Sequence, residues 1–312
     1  MISRPIIIDT DPGQDDAVAI LAALASPDEL DVLAITAVAG NVPLDLTVSN
    51  SLALVELADR GDVPVYRGSA RPMVKTLVTA EYVHGPTGLD GAGLPPPSLR
   101  EAPGHAVDEI VEIVNTSDRA VTLCTLGPLT NVGLALVRDP GIVDKIEQIV
   151  MMGGGFFEGG NTTPAAEFNV YVDPHAAHVV FTSGVPIVMM PLDVTHKALT
   201  TPDRLARFAG LGTPAGDAVA GMLDFYDRWD VEKYGIPGGP LHDPTVIAYL
   251  LEPGLFDGRN VSVEIDISPG ATLGMTIVDW WGVTDASPNA LVMKDIDSDG
   301  FFELLVDRIG RL

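Results

Sequence analysis

The chain has 312 residues, 46% of them apolar, which is enough to bury a substantial core and too apolar for an intrinsically disordered segment. Forty-three acidic against eighteen basic side chains leave a formal charge of −25, so the basic footprint that nucleic acid or an anionic membrane requires is absent, and a cation or a neutral small molecule is the better fit. The single cysteine, Cys124, excludes an intrachain disulfide, and no uncharged apolar run approaches the roughly 20 residues of a membrane span. The opening MISRPIII is too short for a signal-peptide core, and the expected location is cytoplasmic.

In chain order, a first buried strand is predicted at 5–9 (PIIID), running into the turn DTDPGQDD and a helix over 15–26. A strand at 31–38 ends in AGN, which leaves the amide Asn41 at its tip, and a helix follows at 46–60. Residues 68–104 carry many Pro and Gly residues and little periodic pattern, so they read as a long functional loop. Next come a helix at 105–117, a strand at 120–126 ending in exposed main chain at LGPLTN, and a helix at 129–138. The strand at 146–152 leads into GGGFFEGGNTTPAA (153–166), a loop with five glycines, and then AEFN (166–169). A helix at 174–183 and a strand at 185–190 complete the alternating part. Helical spacing recurs in AVAGMLDFYDRW, and HDPT (242–245) precedes another helical run with Asp243 where a cap would sit. The segments 260–268 and 273–281 read as antiparallel strands, and 300–311 as a closing helix.

Strands apolar on both faces and separated by helices predict an α/β fold: an open, mostly parallel central sheet, Rossmann-like, with helices on both faces and extra antiparallel strands near the C-terminus. One domain over 1–312 is expected, since no linker or repeat divides the chain. In such sheets ligands settle beyond the carboxyl ends of the strands, and several of these strands end in polar groups.

The turn DTDPGQDD holds Asp9, Asp11, Asp15 and Asp16 within eight positions. Acids in a first helical turn are favoured by about 0.3–1 kcal/mol each, which accounts for Asp15 and Asp16 but not for Asp9 and Asp11. Two carboxylates about 4 Å apart repel by about 4 kcal/mol at an effective dielectric near 20, more than capping returns. Either some of these carboxyls are protonated or a cation is bound, and the cation is the preferred reading. No Cys or His spacing points to zinc; an all-oxygen set points to Ca²⁺ or Mg²⁺, and a multi-carboxylate loop suits the larger calcium shell. The later DIDSDG (295–300) opens like an EF-hand loop but places Val306 at the twelfth position, so it reads as the turn before the last helix, with Asp297 or Asp299 near its cap.

The run DTDPGQDDAVAI resembles the fingerprint of the calcium-dependent nucleoside hydrolases of the inosine-uridine-preferring family. AVAGN, HGPTGLDG, LGPLTN, MMGGG, PAAEFN, LDVTHKA and PLHDP follow in the family's order over nearly the whole chain. Within the family the chain looks closest to bacterial pyrimidine-preferring ribonucleoside hydrolases. The resemblance implies that Asp11, Asp16 and Asp243 ligate Ca²⁺ through side chains and Leu126 through its carbonyl. It further implies that Asp15, Asn41 and Asn169 hold the ribose 2′- and 3′-hydroxyls, with Asn161 and Glu167, beside Phe168, at the 5′-hydroxyl. His84 and His242 would lie near the base, Asp9 would orient the turn, and family members are commonly homodimers or homotetramers.

The expected chemistry is hydrolysis of a ribonucleoside N-glycosidic bond by a calcium-bound water through an oxocarbenium-like transition state, with Asp11 as general base and His242 as the leaving-group acid. Trp229 and Tyr234, with Tyr226, are candidates for the wall of the base pocket, although Trp229 equally fits the core face of its helix. His105, His175, His178 and His196 read as structural. Two alternatives stand beside this reading. A metal-dependent phosphohydrolase would use the same turn but needs basic phosphate contacts, which this region lacks; a non-catalytic calcium- or nucleoside-binding relative would keep the fold without turnover.

Overall fold

The computed structural model describes the backbone of residues 3–235 and 237–312, and the side chains of all of these except 227–230 and 232–234. The described residues form ten strands: β1 (Arg4–Thr10), β2 (Leu30–Ala37), β3 (Val65–Arg67), β4 (Val121–Thr125), β5 (Ile146–Met152), β6 (Ile187–Met190), β7 (Phe256–Val261), β8 (Val263–Ile265), β9 (Thr276–Val278) and β10 (Ala290–Ile296). Eight make one sheet in the order β3-β2-β1-β4-β5-β6-β10-β7, and β8 and β9 pair separately. All neighbours in the large sheet are parallel except β10 and β7.

The three isoleucines of β1 show why both faces must be covered. Strand alternation sends Ile6 and Ile8 to one core and Ile7 to the other, and all three are buried. One face is packed by helices Gln14–Leu24, Pro244–Leu251 and Ser298–Ile309, the other by Ala106–Thr116, Thr130–Arg138 and Pro174–Phe181. Helix Gln14–Leu24 is buried along its whole length. That is why its sequence shows small apolar residues all round rather than a stripe.

The strand order fixes the place of the site. From β1 the chain moves outward through β2 to β3, then returns to the other side of β1 for β4, β5 and β6. Connections therefore diverge at the carboxyl ends of β1 and β4, the crevice where open α/β sheets bind ligands.

The predicted strand at 260–268 is divided at Ser262: its start closes β7 against β10, whereas Val263–Ile265 leaves the large sheet to pair with β9. The strand predicted at 273–281 shrinks to Thr276–Val278. β3 and β10 have no counterpart among the predicted elements. β10 is a short apolar run leading into an acid-rich turn, and its pairing on both sides, parallel with the distant β6 and antiparallel with β7, makes it a strand. The DIDSDG turn caps the last helix, with Asp297 accepting from the Gly300 amide at 3.1 Å.

Candidate active site

The Asp turn stands at the crevice because β1 ends at Thr10 and helix Gln14–Leu24 starts four residues later, capped at Gly13. Its acids have separate environments. Asp9 Oδ2 accepts from Thr36 Oγ1 at 2.6 Å and from Asn131 Nδ2 at 2.8 Å, tying β1 to β2 and to helix Thr130–Arg138. Burial still pushes its carboxyl up to about 7. Asp16 accepts from Thr10 Oγ1 at 2.5 Å, the Gly13 amide at 2.9 Å and Asn41 Nδ2 at 3.1 Å. Asp11 Oδ2 accepts from the Asn41 amide at 2.7 Å. Of the two first-turn acids, Asp16 is the one that takes a capping bond, from Gly13.

Asp243 occupies the N-cap position of helix Pro244–Leu251 without making a side-chain cap bond. Its carboxylate instead reaches the turn: one oxygen from each of Asp15, Asp16 and Asp243 lies within 4.8 Å of the others, and all three residues are buried. Burial, then the charge of Asp16, pushes Asp15 up to about 8. Burial, then Asp16, holds Asp11 well above the usual carboxylate range. Burial and the charges of Asp15, Asp16 and Asp11 do the same to Asp243, and burial raises Asp16. Asp11 Oδ1 and Asp15 Oδ1 are buried with no hydrogen-bond partner.

Buried orphan oxygens on converging acids are what a cation needs and what a metal-free core should avoid. The donor set is all oxygen, so the residues fit a hard divalent ion. Close packing holds Asp11 in place: a Cβ on Gly40 would come within 2.0 Å of Asp11 Oδ2, and one on Gly127 within 2.1 Å of Oδ1. The Leu126 carbonyl, at the end of β4, accepts from Asn169 Nδ2 at 2.7 Å.

Beside the acids lies a pocket bounded by Asp15, Asn41, His84, Asn169, His242 and Asp243, with Asn161, Glu167, Phe168 and Leu126 also on its wall. The glycine-rich loop is held to it by acid-to-amide bonds. Glu167 caps helix Phe168–Val172, accepting from Asn169 at 2.8 Å and Val170 at 3.2 Å, and takes the Gly154 amide at 2.8 Å. Burial raises its carboxyl to about 6. Asn161 Oδ1 accepts from the Phe168 amide at 3.0 Å. Asp193, which the motif reading left without a role, takes the amides of Phe156 and Phe157 at 2.8 Å each.

Two of the pocket histidines, His84 and His242, are held in the neutral form. Burial brings His84 down to about 3, and burial, then His196 and His84, brings His242 down to about 3. His84 stacks on Tyr226 with ring centroids 5.5 Å apart, and its Nδ1 is 2.8 Å from Gln14 Oε1. His242 Nδ1 is 2.7 Å from Thr195 Oγ1. His196, expected to be structural, also faces this pocket, 5.9 Å from the His242 ring and 3.2 Å from Glu158. The side chains of Trp229 and Tyr234 lie outside the described residues. Gln14 and the two glycines beside Asp11 were not singled out in sequence, although all three stand inside or next to the quoted motifs.

A buried acid cluster that fits a hard cation, set beside a polar pocket at the switch point of an open α/β sheet, defines a metal-assisted hydrolase acting on a small polar molecule. The family model "inosine-uridine preferring nucleoside hydrolase" matches residues 6–303, and the chain belongs to that family. Its members hydrolyse the N-glycosidic bond of nucleosides, and so does this enzyme. The chain is 47% identical over 310 residues to the pyrimidine-specific ribonucleoside hydrolase RihA of Shewanella sp. (strain ANA-3), covering 99% of this chain and 97% of that protein. It is 50% identical over 308 residues to an uncharacterised protein of Schizosaccharomyces pombe, covering 98% and 99% of the two chains. Among solved structures, the purine-preferring ribonucleoside hydrolase from Gardnerella vaginalis superposes with a TM-score of 0.91 at 32% identity, over 98% of each chain.

The packing around Asp11 gives a first prediction. Gly127→Ala is expected to push the Asp11 carboxylate aside and lower kcat/KM at least tenfold, with an overpacking cost of about 1–3 kcal/mol in stability. Unchanged kinetics and melting would show that the carboxylate does not lie against that backbone.

Proposed function

We propose that this hydrolase acts on pyrimidine ribonucleosides with a resident Ca²⁺ held by Asp11, Asp16, Asp243 and the Leu126 carbonyl, Asp15 standing against both the ion and the ribose. The single observation that carries the metal reading is the convergence of one buried oxygen each from Asp15, Asp16 and Asp243, in a turn where Asp11 and Asp15 also keep unpartnered oxygens. Calcium, when bound, supplies the positive charge that anchors a vicinal diol and lowers the pKa of a water. With an ion bound beside it, Asp11 would be held ionised and would accept a proton from the attacking water.

The remaining roles follow the pocket. Asp15, Asn41 and Asn169 hold the 2′- and 3′-hydroxyls; Asn161 and Glu167, next to Phe168, hold the 5′-hydroxyl. Ionised Asp15 and Glu167 also offset the positive charge that develops on the ribose as the bond breaks. For Asn169, a ligand at the Leu126 carbonyl replaces the hydrogen bond it now donates there. His242 serves the leaving base: the arrangement in which Thr195 donates to Nδ1 keeps the His242 proton on Nε2. Trp229 and Tyr234 are proposed as further base contacts. Pyrimidine preference is supported by the 47% identity to the pyrimidine-specific Shewanella enzyme, against 32% to the purine-preferring Gardnerella one.

One domain, a cytoplasmic location and a homodimer or homotetramer complete the proposal. Among the described residues no helix is long and apolar enough to cross a membrane.

The test is a panel of ribonucleosides and nucleotides in calcium buffer, scored separately for free ribose and free phosphate. Ribose from uridine and cytidine, faster than from inosine, is expected. Faster release from inosine would reverse the base preference, and phosphate without ribose would replace the reading by phosphohydrolysis.

A further inference from the structure

Gln14 lies inside the acid turn, is fully buried and belongs to none of the roles above. Its Nε2 donates to two main-chain carbonyls, His84 O at 2.9 Å and Asp90 O at 3.2 Å. A side-chain amide nitrogen has two hydrogens, and these two acceptors use both. Exchanging the amide oxygen and nitrogen would point an oxygen at two carbonyl oxygens, so the orientation of the amide is fixed by its surroundings. The remaining amide atom, Oε1, is an acceptor only, and it lies 2.8 Å from Nδ1 of His84.

An acceptor facing Nδ1 requires the proton to be on Nδ1. His84 is neutral, so it has one ring proton, and Nε2 is then a bare lone pair. Nε2 is not among the buried unpartnered atoms, and the ring borders the substrate pocket. Tyr226 stacks on the ring face and keeps it from turning, and Gly13 allows the close approach, since a Cβ there would lie 2.4 Å from His84 Nδ1.

We infer that Gln14 is a positioning residue that fixes the His84 tautomer, making its pocket nitrogen a hydrogen-bond acceptor that selects nucleobases presenting an N–H donor. This rests on the proposed reading of His84 as a base contact and adds what it recognises. In this tautomer His84 has no proton to give a departing base, so it reads the base and leaves its protonation to other groups. Uracil offers such a donor at ring N3 and 3-methyluracil does not. Leaving a buried acceptor unpaired against the methylated base is expected to reduce its kcat/KM by roughly tenfold or more.

The test joins a spectrum to a selectivity. In the intact wild-type protein, ¹⁵N-resolved histidine spectra should give His84 a protonated Nδ1 and an unprotonated Nε2. Gln14→Met, similar in length but without the amide, should lose that tautomer preference. The uridine-over-3-methyluridine ratio should fall from roughly tenfold toward unity, through KM more than kcat. A wild-type Nε2–H tautomer would overturn the inference, as would a Gln14→Met enzyme with the original ratio. If the variant does not fold, the wild-type spectrum and substrate pair decide alone. Absence of ribose release from every nucleoside would overturn the hydrolase reading and leave the spectral result standing, so the two failures are distinguishable.

Discussion

Asp11→Asn is expected to reduce kcat/KM for uridine by about 10²–10⁴-fold, the usual range for loss of a general base, and more if the ion is also lost. The variant keeps the volume and the hydrogen bond that the Asn41 amide makes with this side chain, so the strand-end geometry should survive. Stability should move in the opposite sense to activity when the metal is stripped. Asp11 is buried against Asp16 and Asp15, and each ionised carboxylate there costs both solvation and repulsion. Replacing one by a neutral amide removes that cost, so chelated Asp11→Asn should melt above chelated wild type at pH 8. A variant with near-normal turnover would remove Asp11 from the role of base. A chelated variant melting well below wild type would show that Asp11 is mainly a structural hydrogen-bond acceptor.

Removal of the metal is the second large effect, and its pH dependence has a definite sign. The folded-state values of Asp9 and Asp15, about 7 and about 8, lie above the ordinary carboxylate value, near which the unfolded chain titrates. Folded metal-free protein therefore holds protons that the unfolded chain has already released. By linkage its stability is greatest below about pH 4 for these groups and declines as pH rises through 7 and 8. A divalent ion beside Asp15 would replace its proton with fixed positive charge, so the calcium-bound form should lose the Asp15 part of this decline and keep only the Asp9 part. The gap in melting temperature between calcium-loaded and chelated samples should widen from pH 5 to pH 8, and at about 100 times the dissociation constant the ion contributes about 2.7 kcal/mol. Melting curves at several pH values measure it. A gap independent of pH would mean that the ion binds elsewhere than beside Asp15.

Much of this was legible in the sequence because the fold and the cluster are both local statements. A run such as PIIID, apolar at successive positions, can be satisfied only by a strand covered on both faces, and Ile6, Ile7 and Ile8 are divided between two cores as that requires. The acid turn was legible because four carboxylates on one turn conflict with elementary electrostatics unless something compensates them. What the sequence hides is set by distant contacts. β10 becomes a strand by joining β6 on one side and β7 on the other, and the break at Ser262 is decided by which sheet Val263 can reach. The approach of Gly40 and Gly127 to Asp11 likewise depends on three strand ends meeting, and a glycine in a loop carries no mark of the neighbour it makes room for. Gln14 was passed over because an amide between acids looks like solvated polarity, whereas in the fold it is sealed between two loop carbonyls and a histidine.

His196 shows the limit from the other side. One histidine in LDVTHKA has no period or partner to interpret, and only the fold brings it to 5.9 Å from His242 at the pocket wall. The glycine-rich loop was recognised as functional from its composition, but its anchoring was not. Asp193 and Glu167 hold it by accepting main-chain amides, a use of acids that no motif announces.

If the crowded acids of DTDPGQDD seat a cation, nucleoside hydrolysis should depend on that ion. The most direct measurement strips the enzyme with a chelator, titrates Ca²⁺ back, and follows uridine cleavage to ribose and uracil in wild type and Asp11→Asn together. The account predicts negligible ribose release from stripped wild type, restoration that saturates at one ion per chain, and no restoration in Asp11→Asn. Full turnover by the stripped wild type, or equal restoration of both proteins, would contradict it.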